Sequence, residues 1–320
     1  MTPLRLRGIG RRARWLFVVP GTLLPLATST IASQCPTDTG PPRPFGPQIS
    51  AADSGRIYTS VISADGREFY DFRRVGDLAE NYRIFRSIRT GSGWGPAQQL
   101  RLGGDWSDLY PALSADGSRL VFASYRPAPG DTSSKRNAHL WMVRREGSGW
   151  GAPGFVAASV LGHYHSGLTL DVNGTLRFRL TSPDWREQVD AELPWLRDRF
   201  APQIIRKPPL PVVEYWRKRS GDSIHVWGAI EGPDGLALLS VSRLTEPNRR
   251  RGPAQYFVTR PAEAGWAPLV RAPGALGAGS PNFAWFSKDG CYLYFTRDYS
   301  EFMRVPVGLI ASTLRQAMRR

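Results

Sequence analysis

Few residues of this 320-residue chain have the types and spacing that catalysis or ligand binding would need. Polar and aromatic side chains stand just before several apolar runs. If those runs are the first strands of repeats arranged in a ring, as argued below, these side chains lie at the mouth of its central channel. Such a rim would suit a glycan or a peptide end. It could also simply hydrate the channel and hold loops, and both interpretations stay open. The candidate rim residues are Asp105, Asp108, Tyr110, His163, His165, Glu214, Tyr215 and Asn282.

Two of these candidates are histidines that alternate along the chain. His163 and His165 would share one face of a strand. Together with an aspartate they could hold a metal ion. The sequence shows no clear third ligand, so neither a metal nor any other cofactor is expected.

Carboxylates are the second set that could do chemistry. A glycosidase needs two of them about 5 to 10 Å apart. Asp108, Asp171 and Glu214 are the candidates, and nothing in their spacing singles out a pair. The chain also has no Gly-x-Ser-x-Gly elbow and no glycine-rich phosphate loop before a helix. No catalytic residue is therefore assigned, and a non-catalytic binding module is favoured. A channel glycosidase and a scaffold without a ligand are the alternatives.

A recurring hairpin unit must position these side chains. In its clearest copy, Pro111 to Arg126, an Asp-Gly turn separates two apolar runs, and glycine supplies the positive φ that this turn needs. Five copies can be recognised, and their glycines are 51, 57, 61 and 55 residues apart. The aspartates and the asparagine at these turns are structural turn formers. The turn residues are Asp65, Gly66, Asp116, Gly117, Asn173, Gly174, Asp234, Gly235, Asp289 and Gly290.

A Gly-Trp motif recurs at about the same spacing as the turns, with its tryptophans at Trp94, Trp150 and Trp266. One tryptophan is missing from the series, between the last two. Self-similarity at this period in a β-patterned chain is typical of propellers, whose four-stranded blades take about 40 to 50 residues. We therefore predict an all-β propeller of five four-stranded antiparallel blades. Six blades stay open, because the repeat is degenerate from Asp184 to Gly221.

The repeat has a known counterpart. Ser114 to Ser124, read as Ser-Ala-Asp-Gly-Ser-Arg-Leu-Val-Phe-Ala-Ser, resembles the PD40, or WD40-like, repeat of TolB-type β-propellers. Ile84 to Ser87 and the Gly-Trp-Gly-Pro-Ala that follows are similar to the third and fourth strands of that repeat. Glu301 to Val305 is similar to the closing strand of such chains. The resemblance covers about residues 46 to 314 and implies a propeller fold without fixing an activity.

The two ends of the chain differ from the repeats. Residues 1–33 have the pattern of a signal peptide. An arginine-rich start is followed by an apolar stretch from Trp15 to Leu26 that is too short to span a membrane. We expect an exported protein, periplasmic or extracellular, without a transmembrane span after signal removal. The sequence leaves open which export route is used and whether Cys35 carries a lipid anchor. Residues 34–46 are expected to be an extended Pro/Gly-rich lead-in, residues 47–308 the propeller and residues 309–320 a short helical tail.

The only two cysteines are Cys35, in the lead-in, and Cys291, in the last repeat. First and last blades are neighbours in a closed ring, and an oxidising compartment permits a disulfide. A bond between the two cysteines could therefore pin the lead-in across the closure. Two separate thiols are the alternative.

Charge and local pattern complete the expectations. The chain carries +15, but no Lys/Arg cluster interleaves with aromatics along a helix, so nucleic acid is not an expected partner. A monomer is expected, with a protein or a glycan of the cell envelope as its partner. A short helix is expected within Trp185 to Phe200, limited by Pro194. The outer strand of the last blade is expected near Met303 to Val307.

Overall fold

Five antiparallel sheets follow one another along the chain in the computed structural model and form the blades of a β-propeller. All described residues belong to one compact unit. Residues 1–33, predicted from the sequence to be a signal peptide, lie outside the described residues. The structure describes residues 35, 40–50, 56–78, 80–91, 93–132, 137–159, 164–182, 188–220, 224–245, 250–251, 255–272, 276, 281–287 and 289–319.

The strands are short, and within each blade they pair in chain order. A first strand, β1, spans Arg43–Pro44. Blade 1 contains β2 (Ile57–Ile62), β3 (Glu68–Arg74), β4 (Tyr82–Thr90), β5 (Gly93–Trp94) and β6 (Gln98–Gln99). Blade 2 contains β7 (Asp108–Leu113), β8 (Arg119–Ser124), β9 (His139–Glu146), β10 (Gly149–Trp150) and β11 (Gly154–Ala157). Blade 3 contains β12 (Tyr164–Leu170), β13 (Leu176–Thr181), β14 (Gln188–Leu193) and, after a small hairpin of β15 (Trp195–Leu196) and β16 (Arg199–Phe200), β17 (Ile205–Arg206).

A helix, α1 (Pro211–Ser220), leads from blade 3 to blade 4. Blade 4 contains β18 (Ile224–Glu231), β19 (Ala237–Thr245), β20 (Arg250–Arg251), β21 (Gln255–Thr259) and, after a hairpin of β22 (Pro261–Ala262) and β23 (Gly265–Trp266), β24 (Val270–Arg271). Blade 5 contains β25 (Pro281–Phe286), β26 (Tyr292–Arg297) and β27 (Glu301–Pro306). The final helix, α2, spans Val307–Met318.

Local hydrogen bonds form the turn between the first two strands of a blade. In blade 2, the Ser114 hydroxyl donates to the Asp116 carboxylate and accepts from the backbone N–H of Arg119, while Gly117 takes φ +68°. Ser63 and Ser287 play the same part in blades 1 and 5. Because these bonds lie within five residues of sequence, the turn is encoded locally.

The apolar runs are consecutive because each sheet is covered on both faces. Leu120 and Phe122 of β8 pack into a core shared with Phe72 of blade 1. Val121, between them, points the other way into a core shared with Phe178 of blade 3. Side chains alternate across a strand, so an uninterrupted Leu-Val-Phe run fills the space on both sides of one blade.

The first strands of the blades lie towards the centre and contact one another across the ring. β7 contacts both β2 and β12, and β2 also contacts β25 of the last blade. Blades 1 and 5 are further joined by the N–H of Ile57, which donates to the carbonyl of Tyr299 at 3.0 Å. The blades therefore close into a circle, and the resemblance inferred from the repeat is confirmed at the level of the fold.

The lead-in of the chain completes this closure. β1 pairs antiparallel with β27 and so supplies the fourth strand of blade 5. Cys35 is joined to Cys291 in a disulfide bond. The expectation that the C-terminal strand is the outer one is wrong, because β27 is the third strand of its sheet and β1 lies outside it.

Blade 3 departs furthest from the expected pattern. The predicted short helix within Trp185 to Phe200 is wrong, because β14 and the β15–β16 hairpin occupy the part of that stretch that the structure describes. Trp195 stands at the turn after the third strand, as Trp94 and Trp150 do in their blades. The guanidinium of Arg119, from the neighbouring blade 2, covers its ring at 3.9 Å, and Arg145, from the third strand of the same blade, covers Trp150 at 4.0 Å. Trp195 therefore takes the place of the missing tryptophan.

Both helices pack an apolar side onto the blades. α1 begins at Pro211, which suits the first helical position, and buries Val212 and Val213 against blade 4. α2 buries Val307, Ile310 and Leu314 between blades 4 and 5, and it begins two residues before the expected tail. Among the described residues, no helix is both long and apolar enough to cross a membrane.

Candidate functional site

The strand order gives every blade two distinct ends. The first strand begins, the second ends and the third begins at the same end, which we call the upper face. The turns between the first and second strands lie at the other end, the lower face. The predicted rim belongs to the upper face, where the first strands enter the sheets.

Each first strand carries a β-bulge close to the upper face. In blade 2 the bulge places Tyr110 and Pro111 opposite Phe122, and in blade 1 it places Tyr58 and Thr59 opposite Phe72. β12, β18 and β25 bulge in the same part of the strand. Because a bulge bends its strand and redirects a side chain, it can turn Tyr58 and Tyr110 of blades 1 and 2 towards the mouth of the ring, whereas blade 3 has Gly167 at the position of Tyr110.

Tyr110 holds an unfavourable backbone conformation at its bulge. Its φ is +52°, and the equivalent position of blade 3 is Gly167 with φ +61°. An L-residue in this region costs about 1 to 2 kcal/mol relative to its ordinary conformations, whereas glycine adopts it freely. Retained strain of this kind is concentrated at functional sites, which makes Tyr110 a candidate.

Five half-buried tyrosines gather at the upper face, and we call them the tyrosine cluster. The ring of Tyr58 lies 5.4 Å from that of Tyr82 and 5.2 Å from that of Tyr299. Phe72 lies beneath, with its ring 5.0 Å from Tyr58 and 4.8 Å from Tyr110. Tyr125 packs on the same core between blades 1 and 2. The cluster consists of Tyr58, Tyr82, Tyr110, Tyr125 and Tyr299.

The phenols of Tyr82, Tyr110 and Tyr299 have raised pKa values and stay protonated at neutral pH. Burial raises the pKa of Tyr110 and Tyr82, and a hydrogen bond with Tyr58 raises the pKa of Tyr82 further. Burial also raises the pKa of Tyr299, helped by the proximity of Tyr58. Neutral hydroxyls can both donate and accept hydrogen bonds, so the cluster combines apolar ring surface with adaptable polar edges.

Asp108 lies two residues before Tyr110 on the same strand and is 6% exposed. Burial raises the pKa of its carboxyl to about 6, against the opposing effects of a hydrogen bond with Ser124 and the positive charge of Arg126. The Arg126 guanidinium is 3.9 Å away, too far for a hydrogen bond. Asp108 is therefore a weakly compensated charge beside the mouth.

Titration of the Asp108 carboxyl should make the stability of the folded chain depend on pH. Its pKa is higher in the folded chain than the ordinary 3.8, so the folded state binds more protons between about pH 4 and 6. The contribution of Asp108 to the free energy of unfolding should then fall by about 2 to 3 kcal/mol as pH rises through that window. Urea unfolding of the native chain and of Asp108→Asn at pH 4, 5, 6 and 7 measures the difference. Parallel stability curves would show that Asp108 does not titrate as described.

The structure separates most of the other predicted rim residues from this cluster. Asp105 is in a loop before β7 with its side chain 99% exposed, paired with Arg83 at 2.8 Å. His165 is buried on β12, with Nδ1 2.8 Å from the carbonyl oxygen of Ala138. Glu214 and Tyr215 lie on α1, where Glu214 is exposed. His163 lies outside the described residues, and Asn282 is placed on β25 opposite Thr296 with only its backbone described.

The three candidate carboxylates for glycoside hydrolysis do not share a site. Asp108 is at the upper face and Glu214 is on α1, whereas Asp171 lies in a lower-face turn and accepts the N–H groups of Asn173 and Thr175. Within the described part of the chain, no group of three or more His, Cys, Asp or Glu side chains could hold a metal ion.

Sequence reasoning missed four of the five clustered tyrosines. Tyr58 could have been found by aligning the turns, because it precedes Asp65 by seven residues and Tyr110 precedes Asp116 by six. Tyr82 and Tyr125 stand at the start of a third strand and just after the end of a second strand, where the repeat shows no motif. Tyr299 belongs to blade 5 and comes close only through ring closure.

Comparison with known proteins identifies similar folds and no close relative. No protein-family model matches the chain, and no curated protein matches it. Among solved structures it is similar to a protein described as a TolB from Agrobacterium tumefaciens, with 14% identity over 75% of this chain and 69% of that one and a TM-score of 0.43. It is also similar to XC5397 from Xanthomonas campestris, a gluconolactonase, with 15% identity over 78% and 72% of the two chains and a TM-score of 0.42.

A third similar structure is prolyl oligopeptidase B from Galerina marginata, with 11% identity and a TM-score of 0.39. The match covers 75% of this chain and 30% of that much longer one. At these identities and TM-scores the likenesses carry no argument about activity. The propeller architecture stands on the strand pairing of this chain itself.

Proposed function

We propose that this chain is an exported, non-catalytic binding module that holds a protein segment of the cell envelope on its tyrosine cluster. One observation carries the proposal: five half-buried tyrosines from blades 1, 2 and 5 converge at the mouth of the ring, one of them on a strained bulge. Export is inferred from the signal-peptide grammar of residues 1–33.

A protein segment suits the chemistry of this mouth. Tyrosine offers a large, rigid and amphipathic contact surface with few rotatable bonds, so little side-chain entropy is lost on binding. Its neutral hydroxyls can bond to the N–H and C=O groups of an extended backbone, while the rings cover apolar side chains. The carboxyl of Asp108 lies beside the cluster and can favour a segment with a complementary charge, whereas the guanidinium of Arg83 is already paired with Asp105.

The chemistry of the carboxylates supports binding over hydrolysis. Asp108 has the raised pKa that a general acid needs, but its charged neighbours are Arg126 and Arg83. Inverting and retaining glycosidases both require a second carboxylate facing the first. Asp171 and Glu214 are held elsewhere, so neither provides one.

The proposal is tested by screening the mature chain, starting at residue 34, against peptides tiling envelope proteins and against a glycan array. Tyr125→Ala and Tyr299→Ala should each weaken binding of a captured peptide at least tenfold, about 1.4 kcal/mol, as expected for aromatic anchors. Tyr292→Ala is the matched control, because Tyr292 is a half-buried tyrosine at the lower-face start of β26. Calorimetry gives the affinities.

Two results would contradict the proposal. Peptide binding that the mouth variants leave unchanged would move the site away from the tyrosine cluster. Saturable binding of glycans with none of peptides would replace the protein segment by a glycan at the same place.

A further inference from the structure

A solvent-open cleft lies between blade 3 and the first half of α1, apart from the tyrosine cluster. Its volume is about 340 Å³, including solvent at its opening. Strands β13 and β14 supply one wall, and the first turn of α1 supplies the other. The residues that matter for its chemistry are Arg179, Gln188, Asp190, Lys207, Val213 and Arg217.

Positive charge dominates the lining of this cleft. Arg179, Lys207 and Arg217 contribute three cations, and Asp190 contributes one carboxylate. Asp190 accepts a hydrogen bond from Nε of Arg179 at 3.0 Å, and Lys207 pairs with Glu192, which is not part of the lining, at 3.2 Å. Both contacts leave further N–H donors on the two cations.

Arg217 is the least compensated of the three cations. Its Nη2 donates to the carbonyl oxygen of Val226 at 3.1 Å, and within the described residues no carboxylate lies within ion-pair distance of its guanidinium. Burial lowers the pKa of Arg217 and the positive charge of Arg179 lowers it further, against the opposing effects of the more distant carboxylates of Asp190 and Glu214. Two guanidiniums that repel one another across a cleft are stabilised by an anion between them.

Two further groups favour an oxyanion here. The first turn of α1, through Val213, brings the positive end of the helix dipole to the cleft, and Arg217 follows one turn later on the same side. The buried side-chain oxygen of Gln188 has no hydrogen-bond partner in the described part of the chain. A side-chain amide can be turned to donate or to accept, so Gln188 can meet either a bare or a protonated oxygen of a ligand.

We propose that this cleft binds a phosphate group, clamped by Arg217 and Arg179 with Lys207 at its edge. The guanidinium forks match the geometry of phosphate oxygens, and the lining charges, three positive and one negative, complement a dianion. The phosphate can belong to a small phosphate ester or to an anionic lipid headgroup. This site is independent of the binding proposed at the tyrosine cluster.

Isothermal titration of the mature chain with inorganic phosphate, at low ionic strength, tests the proposal. Saturable binding is expected, with an affinity that Arg217→Gln weakens at least tenfold. Arg206→Gln is the matched control, because Arg206 is an exposed neighbour of Lys207 on β17 that does not line the cleft. If Arg217→Gln fails to fold, Lys207→Gln, at an exposed position, should still weaken binding.

Vesicles with and without phosphatidic acid separate a lipid headgroup from a free ester. Binding to the acidic vesicles that Arg217→Gln abolishes assigns a lipid headgroup, whereas binding of inorganic phosphate alone assigns a small ester. The proposal is overturned if phosphate does not bind saturably. It is also overturned if Arg206→Gln weakens binding as much as Arg217→Gln, because net charge would then explain the effect.

Discussion

Reduction of the Cys35–Cys291 disulfide should lower the free energy of unfolding by up to about 5 kcal/mol. The bond joins residues 256 positions apart, so in the unfolded chain it closes a loop that contains nearly the whole propeller. Loop-closure entropy grows with loop length, and removing the bond restores that entropy to the unfolded state alone. Urea unfolding with and without a thiol reductant measures the difference.

The bond also ties the lead-in of the chain to blade 5, the last blade of the ring. β1 is a two-residue strand with both side chains exposed, and it is the only strand that the lead-in gives to blade 5 among the residues described. Without the disulfide we expect β1 to detach from β27 before the blades separate. The double variant Cys35→Ser/Cys291→Ala is the control, because its stability must not respond to the reductant. Equal unfolding midpoints for oxidised and reduced native chain would show that the bond contributes nothing.

Replacement of Arg73 by methionine should cost about 3 to 5 kcal/mol of stability. Arg73 and Asp71 of β3 form an ion pair that is almost fully excluded from water, with side chains 4% and 0% exposed. Nε of Arg73 donates to one carboxylate oxygen of Asp71 at 2.6 Å, and Nη2 donates to the other at 3.1 Å. Methionine keeps much of the apolar packing, including contact with Phe85 beneath the guanidinium, but removes the charge and both hydrogen bonds that Arg73 gives to the buried carboxylate of Asp71.

A double variant separates loss of charge from loss of packing. Asp71→Leu/Arg73→Met removes both charges and should be less destabilised than Arg73→Met alone, because no unpaired charge remains in the core. Thermal and urea unfolding of the native chain, both single variants and the double variant complete the cycle. A double variant whose loss equals the sum of the single losses would show that the two side chains do not interact.

Much of the architecture could be predicted because its signals are local. The Asp116-Gly117 turn is made by hydrogen bonds among residues 114 to 119, and its Ser-x-Asp-Gly pattern recurs in blades 1 and 5. Uninterrupted apolar runs such as Leu120 to Phe122 indicate a sheet covered on both faces. Repetition of the two signals was enough to predict a five-bladed propeller without any knowledge of distant contacts.

Blade 3 and α1 show where local signals mislead. Pro209 and Pro211 argue against a central strand, and the same Pro211 is a favourable first residue for the helix that forms there. The stretch of β14 and Trp195 lacks the Gly-Trp motif, so only its pairing with β13 identifies it as a third strand. In such a stretch, pairing with a neighbouring strand and packing in the folded chain decide between helix and strand.

The hairpin unit and the all-β class follow from the sequence, because they depend on turns and side-chain alternation within a few residues. The sequence favoured five blades and left six open. Tertiary structure alone decided that Arg43 and Pro44 complete blade 5 and that Tyr58, Tyr110 and Tyr299 meet at one mouth. Closure of the ring brings β1 and Tyr299 to their partners, whereas packing of the adjacent blades 1 and 2 brings Tyr58 and Tyr110 together over Phe72. Contacts between residues so far apart in the chain leave no pattern in the residues near any one of them.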